Sequence, residues 1–248
     1  MSELVLIERP MDRVAHVVLN RPERRNALTG PLADAFGDAL EQLHNDDDVT
    51  VIVIRGAGNA FCSGLDLKEF SQDPQPDWVP LFSKKWRRVH SILFESDRIV
   101  VGALERAAVN GGAALALACD LLVAGDTSFL QVGEIQQGMA APMNMAWLRL
   151  RFSEALAARL VLLGDRIPGP ELVRLGIAYQ SVPDDQVVDA TDALVERLAA
   201  HDRGGVRRIK TSLRRTTVTE SADEWFAKAV AADPPPTATT RPIAATNS

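Results

Sequence analysis

The spacing of apolar residues predicts that the chain opens with two strands, a helix and a third strand. Residues 3–8 and 14–20 have the short apolar pattern of strands joined by a turn. In 29–44 the apolar residues recur every three to four positions, after Thr29 as a candidate N-cap, which predicts an amphipathic helix. Residues 49–55, VTVIVIR, form a continuous β-branched run. Such a run is typical of a strand that is covered on both faces.

Strands and helices continue to alternate through the middle of the chain. Residues 80–95 have a helical pattern, and strands are expected at 99–104 and 121–125. From about residue 142 the pattern becomes mostly helical, and 184–200 place apolar residues on one face and acidic residues on the other. This order of elements predicts an α/β core followed by a helical region.

The last part of the chain differs in composition from the core. We expect residues 1–195 to form the core and residues 196–248 to form a helical C-terminal region with a Pro/Thr-rich arm. The basic segment 206–215 is compatible with a helix, whereas the tail from Asp233 contains three successive prolines and cannot form one.

Composition and charge exclude several classes of function. The net charge of −6 lacks the basic excess that nucleic-acid binding requires. No apolar run approaches the roughly 20 residues of a membrane span, and the N-terminus lacks a signal-peptide pattern. Cys62 and Cys119 lie far apart in the sequence and are expected to be reduced thiols. We therefore expect a cytoplasmic protein without a nucleic-acid or membrane partner.

Two segments, 60–68 and 108–115, place glycine where a strand leads into a helix. The first N–H groups of a helix have no partner within it, and the helix dipole favours negative charge there. If the two turns face each other, their N–H groups can bind one oxygen as an oxyanion hole. Losing one such donor costs about 3–4 kcal/mol of transition-state stabilisation. Taken alone, either turn could have a purely structural role, because glycine is common in tight turns.

Four motifs follow one another in a familiar order. They are LNRPERRNAL at 19–28, AFCSGLDLK at 60–68, the segment 110–120, and Val182-Pro183. Together they resemble the enoyl-CoA hydratase/isomerase family, the crotonases, over about residues 3–215. The resemblance implies a crotonase-like α/β spiral of β-β-α repeats and a helical C-terminal region used for trimer formation. It also implies an acyl-CoA substrate, with coenzyme A as part of the thioester and no separate cofactor.

The resemblance assigns roles to individual residues. It puts the thioester carbonyl between the N–H groups of Leu65 and Gly111, and coenzyme A along the loop 63–68. Arg24, and with it Arg25, would meet coenzyme A phosphates, although both could equally be solvated surface charges. Asp66 is expected to stabilise its loop through backbone hydrogen bonds. The expected substrate-binding residues are Arg24, Ala27, Ser63, Gly64, Asp66, Leu67, Lys68 and Gly112, and the expected catalytic residues are Glu134, Leu65 and Gly111.

One missing carboxylate points to the reaction. The hydratases of the family hold their water with two glutamates, and the matching positions here are Ala114 and Glu134. A positioned acid/base group contributes about 10²- to 10⁴-fold, so hydration should be slow here. Moving a double bond from the 3- to the 2-position needs a single base, and the segment 137–142 also resembles the isomerases. The favoured function is therefore enoyl-CoA isomerisation through a dienolate, in fatty-acid (lipid) metabolism.

Other functions remain open at this point. A hydratase, or another thioester reaction of the same scaffold, could use an unidentified group in place of the second carboxylate, or the chain could bind acyl-CoA without catalysis. Glu134 could serve only as a helix cap. The four histidines have neither metal nor triad spacing, although His90 could approach the acyl pocket. The expected assembly is a homotrimer or hexamer, which the arm puts in doubt because relatives usually end with another helix.

Overall fold

An almost entirely parallel sheet of six strands organises residues 3–232, the part of the chain that the computed structural model describes. The strands along the chain are β1 (Val5–Met11), β2 (Val14–Leu19), β3 (Val51–Gly56), β4 (Ile99–Leu104), β5 (Ala107–Val109), β6 (Leu121–Gly125), β7 (Phe129–Gln131), β8 (Arg166–Pro168) and β9 (Gln180–Val182). The main sheet has the order β1-β2-β3-β4-β6-β9, and only β1 pairs antiparallel. A second sheet has the order β5-β7-β8.

Ten α-helices cover the two sheets within this described range. They are α1 (Gly30–His44), α2 (Leu67–Phe70), α3 (Phe82–Glu95), α4 (Gly111–Ala118), α5 (Pro142–Arg151), α6 (Glu154–Leu163), α7 (Gly169–Arg174), α8 (Val187–Ala199), α9 (Arg203–Arg215) and α10 (Ala222–Ala231). The predicted α/β core with a helical C-terminal region is confirmed. No described helix is long and apolar enough to cross a membrane.

Strand β3 is buried on both faces of the main sheet, as the β-branched run at 49–55 predicted. Ile52 and Ile54 of β3 belong to a large core with α1, α3, α4 and α5, whereas Val51 and Val53 pack on the other side with α8. Because successive side chains of a strand point to opposite faces, each face of β3 needs its own apolar cover. This explains why the strand lacks polar alternation.

Helix α1 begins and ends as the sequence predicted. The Thr29 hydroxyl accepts a hydrogen bond from the Leu32 N–H at 3.3 Å, which makes Thr29 the N-cap. The apolar stripe of the helix is buried against α3 and the first two strands. Its last residue is His44.

The C-terminal region differs from the expectation in one respect. A further helix, α10, precedes the arm, so the expectation that the chain lacks a closing helix is wrong. Ser221 and Glu224 form a capping box at its start, and Phe226 is fully buried, with its ring centroid 5.4 Å from that of Trp147. The Pro/Thr-rich arm from Asp233 lies outside the described residues, and the proposed boundary after residue 195 falls within α8.

Candidate active site

Backbone pairing draws the two glycine turns together. Cys62 and Ala108 form an isolated parallel bridge, in which the Val109 N–H donates to the Cys62 carbonyl at 3.0 Å. Leu65 forms a second bridge, with Leu28. In that bridge the residues before and after Leu65 make the hydrogen bonds to Leu28. The N–H of Leu65 itself therefore points away from Leu28.

Glycine is required at two positions where these turns touch. A Cβ on Gly64, whose φ is +84°, would lie 2.7 Å from the Val109 carbonyl oxygen. A Cβ on Gly112 would lie 2.3 Å from the Cys62 carbonyl oxygen. Backbone therefore approaches backbone at both sites. Gly112, one of the expected substrate-binding residues, packs closely against the neighbouring loop.

Asn110 holds the second turn in a rarely populated backbone conformation, with φ 52° and ψ −111°. Four hydrogen bonds stabilise this conformation. The Asn110 N–H donates, its side-chain oxygen accepts one bond and its carbonyl accepts two, with Gln131, Gly133, Ala114 and Asn144 as the partners. Gly111 follows as the first residue of α4, where an N–H has no partner within the helix.

One cavity of about 240 Å³ contains the three residues expected to act in catalysis. Leu65, Gly111 and Glu134 all line it. Among residues 3–232, neither the Leu65 N–H nor the Gly111 N–H donates a hydrogen bond to another protein group. Most of the remaining wall is apolar and includes Leu28, Phe82, Trp86, Met139, Pro142 and Met143. The cavity therefore offers two unpaired amides and one carboxyl group in apolar surroundings.

Glu134 is buried at the start of a 3-10 helix, Glu134–Gln137, with 9% of its surface exposed. Burial raises its pKa to about 7, against hydrogen bonds from its own N–H and from Asn144, which lower it. The Asn144 side chain donates to Oε1 of Glu134 at 2.9 Å. Oε2 has no partner among the described residues. A carboxyl group with a pKa near neutrality can both take and return a proton.

Among the described residues, Glu134 is the only carboxylate that lines this cavity. Ala114 is fully buried in α4, whose described residues are all glycine, alanine or leucine. Asp66, in the first loop, does not line the cavity; Arg24 donates to it at 2.9 Å and the Glu69 N–H at 3.1 Å. Burial alone would raise the pKa of Asp66, but these hydrogen bonds and the charges of Arg24 and Arg21 bring it below its usual value. Asp66 is thus an ionised loop anchor.

An outer groove of about 310 Å³ runs from the cavity along the first loop. Arg24, Ala27, Ser63 and Leu67 line it, and Ser63 lines the cavity as well. The Arg24 guanidinium is committed to Asp66, so a phosphate there would compete with this ion pair. The other expected residues of this region include Arg25, which is exposed and lines the groove, and Lys68, which is exposed on α2.

Two residues with reactive side chains, Cys62 and His90, do not line the cavity. Cys62 is fully buried in the first loop, and burial raises the pKa of its thiol to about 12, so it is no nucleophile. The His90 Nδ1 accepts a hydrogen bond from the Trp147 indole at 2.9 Å, and burial lowers the pKa of His90 to about 3. His90 is therefore a neutral core residue, and the rings that reach the cavity from α3 are those of Phe82 and Trp86.

Asn144 is the residue of the site that sequence reasoning missed. It lies on α5, ten positions after Glu134, and no motif marks it. Only the packing of α5 against α4 brings its amide to Glu134 and Asn110.

Comparisons with known proteins point to one family. The model of a family described as enoyl-CoA hydratase/isomerase matches residues 10–230. A probable enoyl-CoA hydratase of Mycobacterium bovis is 31% identical over 218 residues, which cover 85% of this chain and 76% of that protein. The crystal structure of an enoyl-CoA hydratase from Mycobacterium smegmatis has a TM-score of 0.75 and 31% identity, covering 93% of this chain and 97% of that one. A monofunctional enoyl-CoA isomerase from M. smegmatis has a TM-score of 0.74 and 25% identity, covering 92% and 99%.

Proposed function

Because this chain belongs to the enoyl-CoA hydratase/isomerase family, we propose that it moves the double bond of a 3-enoyl-CoA to the 2-position. The observation that carries the proposal is the cavity that combines two unpaired amides with a single carboxyl group. Ala114 supplies no second carboxylate to hold a water. The apolar wall suits an acyl chain and disfavours bulk water.

The reaction divides into two proton transfers at one carboxyl group. With the thioester oxygen between the N–H groups of Leu65 and Gly111, Glu134 takes a proton from C2 of the substrate. The electron pair of that C–H bond moves into a dienolate, whose negative oxygen the two amides stabilise. The same carboxyl group then returns the proton to C4, which leaves the double bond between C2 and C3. No water, metal or redox partner enters the balance.

The environment of Glu134 supports this role. A pKa of about 7 makes the carboxylate a stronger base than an exposed glutamate, and at neutral pH a substantial fraction is ionised. Oε2 is buried and has no hydrogen-bond partner among residues 3–232, so no donor lowers its basicity. Oε1 is occupied by Asn144.

Hydration of a 2-enoyl-CoA is the second candidate, because two of the similar proteins described above carry hydratase names. That reaction adds hydroxide from water to C3 and a proton to C2. With one carboxylate instead of two, we expect it to be slower by about 10²- to 10⁴-fold than with both.

Parallel assays of 3-enoyl-CoA and 2-enoyl-CoA test the proposal. We expect isomerisation to exceed hydration, and Glu134→Gln to abolish isomerisation while acyl-CoA still binds. Hydration faster than isomerisation would refute the ranking. Tight acyl-CoA binding with no turnover of either substrate would identify a non-catalytic binding protein.

Placing a second carboxylate at position 114 tests whether the missing glutamate limits hydration. Ala114→Glu should raise hydration of 2-enoyl-CoA relative to the unmodified chain, because two carboxylates can orient one water. The ratio of hydration to isomerisation is the measurement, with the melting temperature as a check on folding, since position 114 is fully buried. An unchanged ratio in a folded variant counts against the role assigned to the missing glutamate.

A further inference from the structure

Asn144 uses both hydrogens of its side-chain amide at the centre of the site. Its Nδ2 lies 2.9 Å from Oε1 of Glu134 and 3.1 Å from the carbonyl oxygen of Asn110. The residue is 1% exposed. A buried amide whose two hydrogens are both engaged has a fixed orientation, so the two acceptors are held at a fixed separation.

The two acceptors belong to different parts of the catalytic arrangement. Glu134 is the proposed base, and Asn110 forms the turn that presents the N–H of Gly111. The Asn110 carbonyl also accepts the Ala114 N–H at 3.0 Å. The Asn144 amide therefore lies beside position 114, where the hydratases have their additional glutamate.

We propose that Asn144 is a positioning residue that binds Oε1 of Glu134 and ties the base to the turn that carries Gly111. This inference rests on the proposed function. A neutral donor at this place favours the ionised form of Glu134, which the first proton transfer requires. A second carboxylate at the same place would oppose it.

Charged groups on the surrounding helices do not position Glu134 or stabilise its ionised form. Helix α4 has none, and Arg151 of α5 donates to the carbonyls of Leu117, Cys119 and Asp120. No charged side chain of the described residues is among the causes that shift the pKa of Glu134. The other charged residues on α5, α6 and α10 are Arg149, Glu154, Arg159, Asp223, Glu224 and Lys228.

Two substitutions of similar size distinguish positioning from simple packing. Asn144→Leu removes the donor, and Asn144→Asp replaces it with a second acid. A hydrogen bond to a charged group is strong enough to shift a pKa by about one unit. We expect the acid limb of kcat/KM against pH to move upward by about one pH unit in Asn144→Leu. It should move further in Asn144→Asp, because two neighbouring carboxylates repel each other.

A titration that does not depend on turnover separates this inference from the proposed function. The Glu134 carboxyl carbon, assigned in ¹³C NMR by its loss in Glu134→Gln, should titrate higher in Asn144→Leu and highest in Asn144→Asp. Met145→Leu, on the same helix, is the matched control and should titrate as the unmodified chain does. If the Glu134 pKa rises in this order but the chain has no isomerase activity, the proposed function is refuted and the role of Asn144 is retained. An unchanged titration in either folded Asn144 variant overturns the inference, and Asn144→Asp alone decides if Asn144→Leu does not fold.

Discussion

Gly112→Ala tests whether the two glycine turns must touch for the site to work. The added Cβ would lie 2.3 Å from the Cys62 carbonyl oxygen and 3.0 Å from its carbon. Real Cβ atoms do not approach this closely, and the obstacle is backbone, which cannot rotate away as a flexible side chain does. The loops must therefore separate by about 1 Å to reach ordinary contact.

That separation acts directly on the oxyanion hole. The hydrogen bond from the Val109 N–H to the Cys62 carbonyl is 3.0 Å long and would break when stretched by about 1 Å. Gly111 lies between Val109 and Gly112 in sequence, so its N–H moves away from the Leu65 N–H. A misplacement of about 1 Å can reduce a rate about 10²-fold. Overpacking should lower the free energy of unfolding by about 1–3 kcal/mol.

The assay combines steady-state kinetics with thermal unfolding. We expect kcat with 3-enoyl-CoA to fall about 100-fold in Gly112→Ala. Gly205→Ala on α9 is the matched control, because its new Cβ meets only the Asp202 carboxylate, at 3.6 Å. That control should keep its activity and gain about 0.5–1 kcal/mol of helix stability. Normal kcat in Gly112→Ala would refute the idea that contact between the turns sets the geometry of the two amides.

Two further predictions concern buried ionisable groups. Burial raises the pKa of Glu134 from 4.5 to about 7, so between these pH values the folded chain holds a proton that the unfolded chain releases. The stability that Glu134 contributes is therefore present below pH 4.5 and is lost as pH rises through 7. Glu134→Gln should therefore unfold like the unmodified chain at pH 4.5 and be more stable by about 3 kcal/mol at pH 8; equal stability at both pH values would contradict the burial argument. Lys210, 6% exposed, donates to Asp120 at 2.7 Å, so Lys210→Met should lower the free energy of unfolding by about 3 kcal/mol in chemical denaturation. Lys228→Met, which removes an exposed ion pair with Glu220, should change it by less than about 1 kcal/mol, and similar losses in both variants would argue against a special role for burial.

Local sequence signals predicted much of the fold because their causes are local. Thr29 caps α1 through its own hydroxyl, and the apolar run of β3 reflects cover on both faces. The three-residue strands β5, β7, β8 and β9 were not predicted, since three residues show no period. Helix α10 was also missed, although its capping box at Ser221 is a readable start signal.

The chain by itself determined which residue types were available for catalysis: glycines in two turns, a glutamate at position 134 and an alanine at position 114. Tertiary structure decided how these residues are used. Gly112 packs against Cys62, Asp66 binds Arg24, and Asn144 reaches Glu134 from a neighbouring helix. Contacts of this kind join residues from separate elements, and the desolvation that raises the pKa of Glu134 comes from all the groups packed around it. Neither the contacts between separate elements nor the desolvation of Glu134 exists until the helices and loops have packed together.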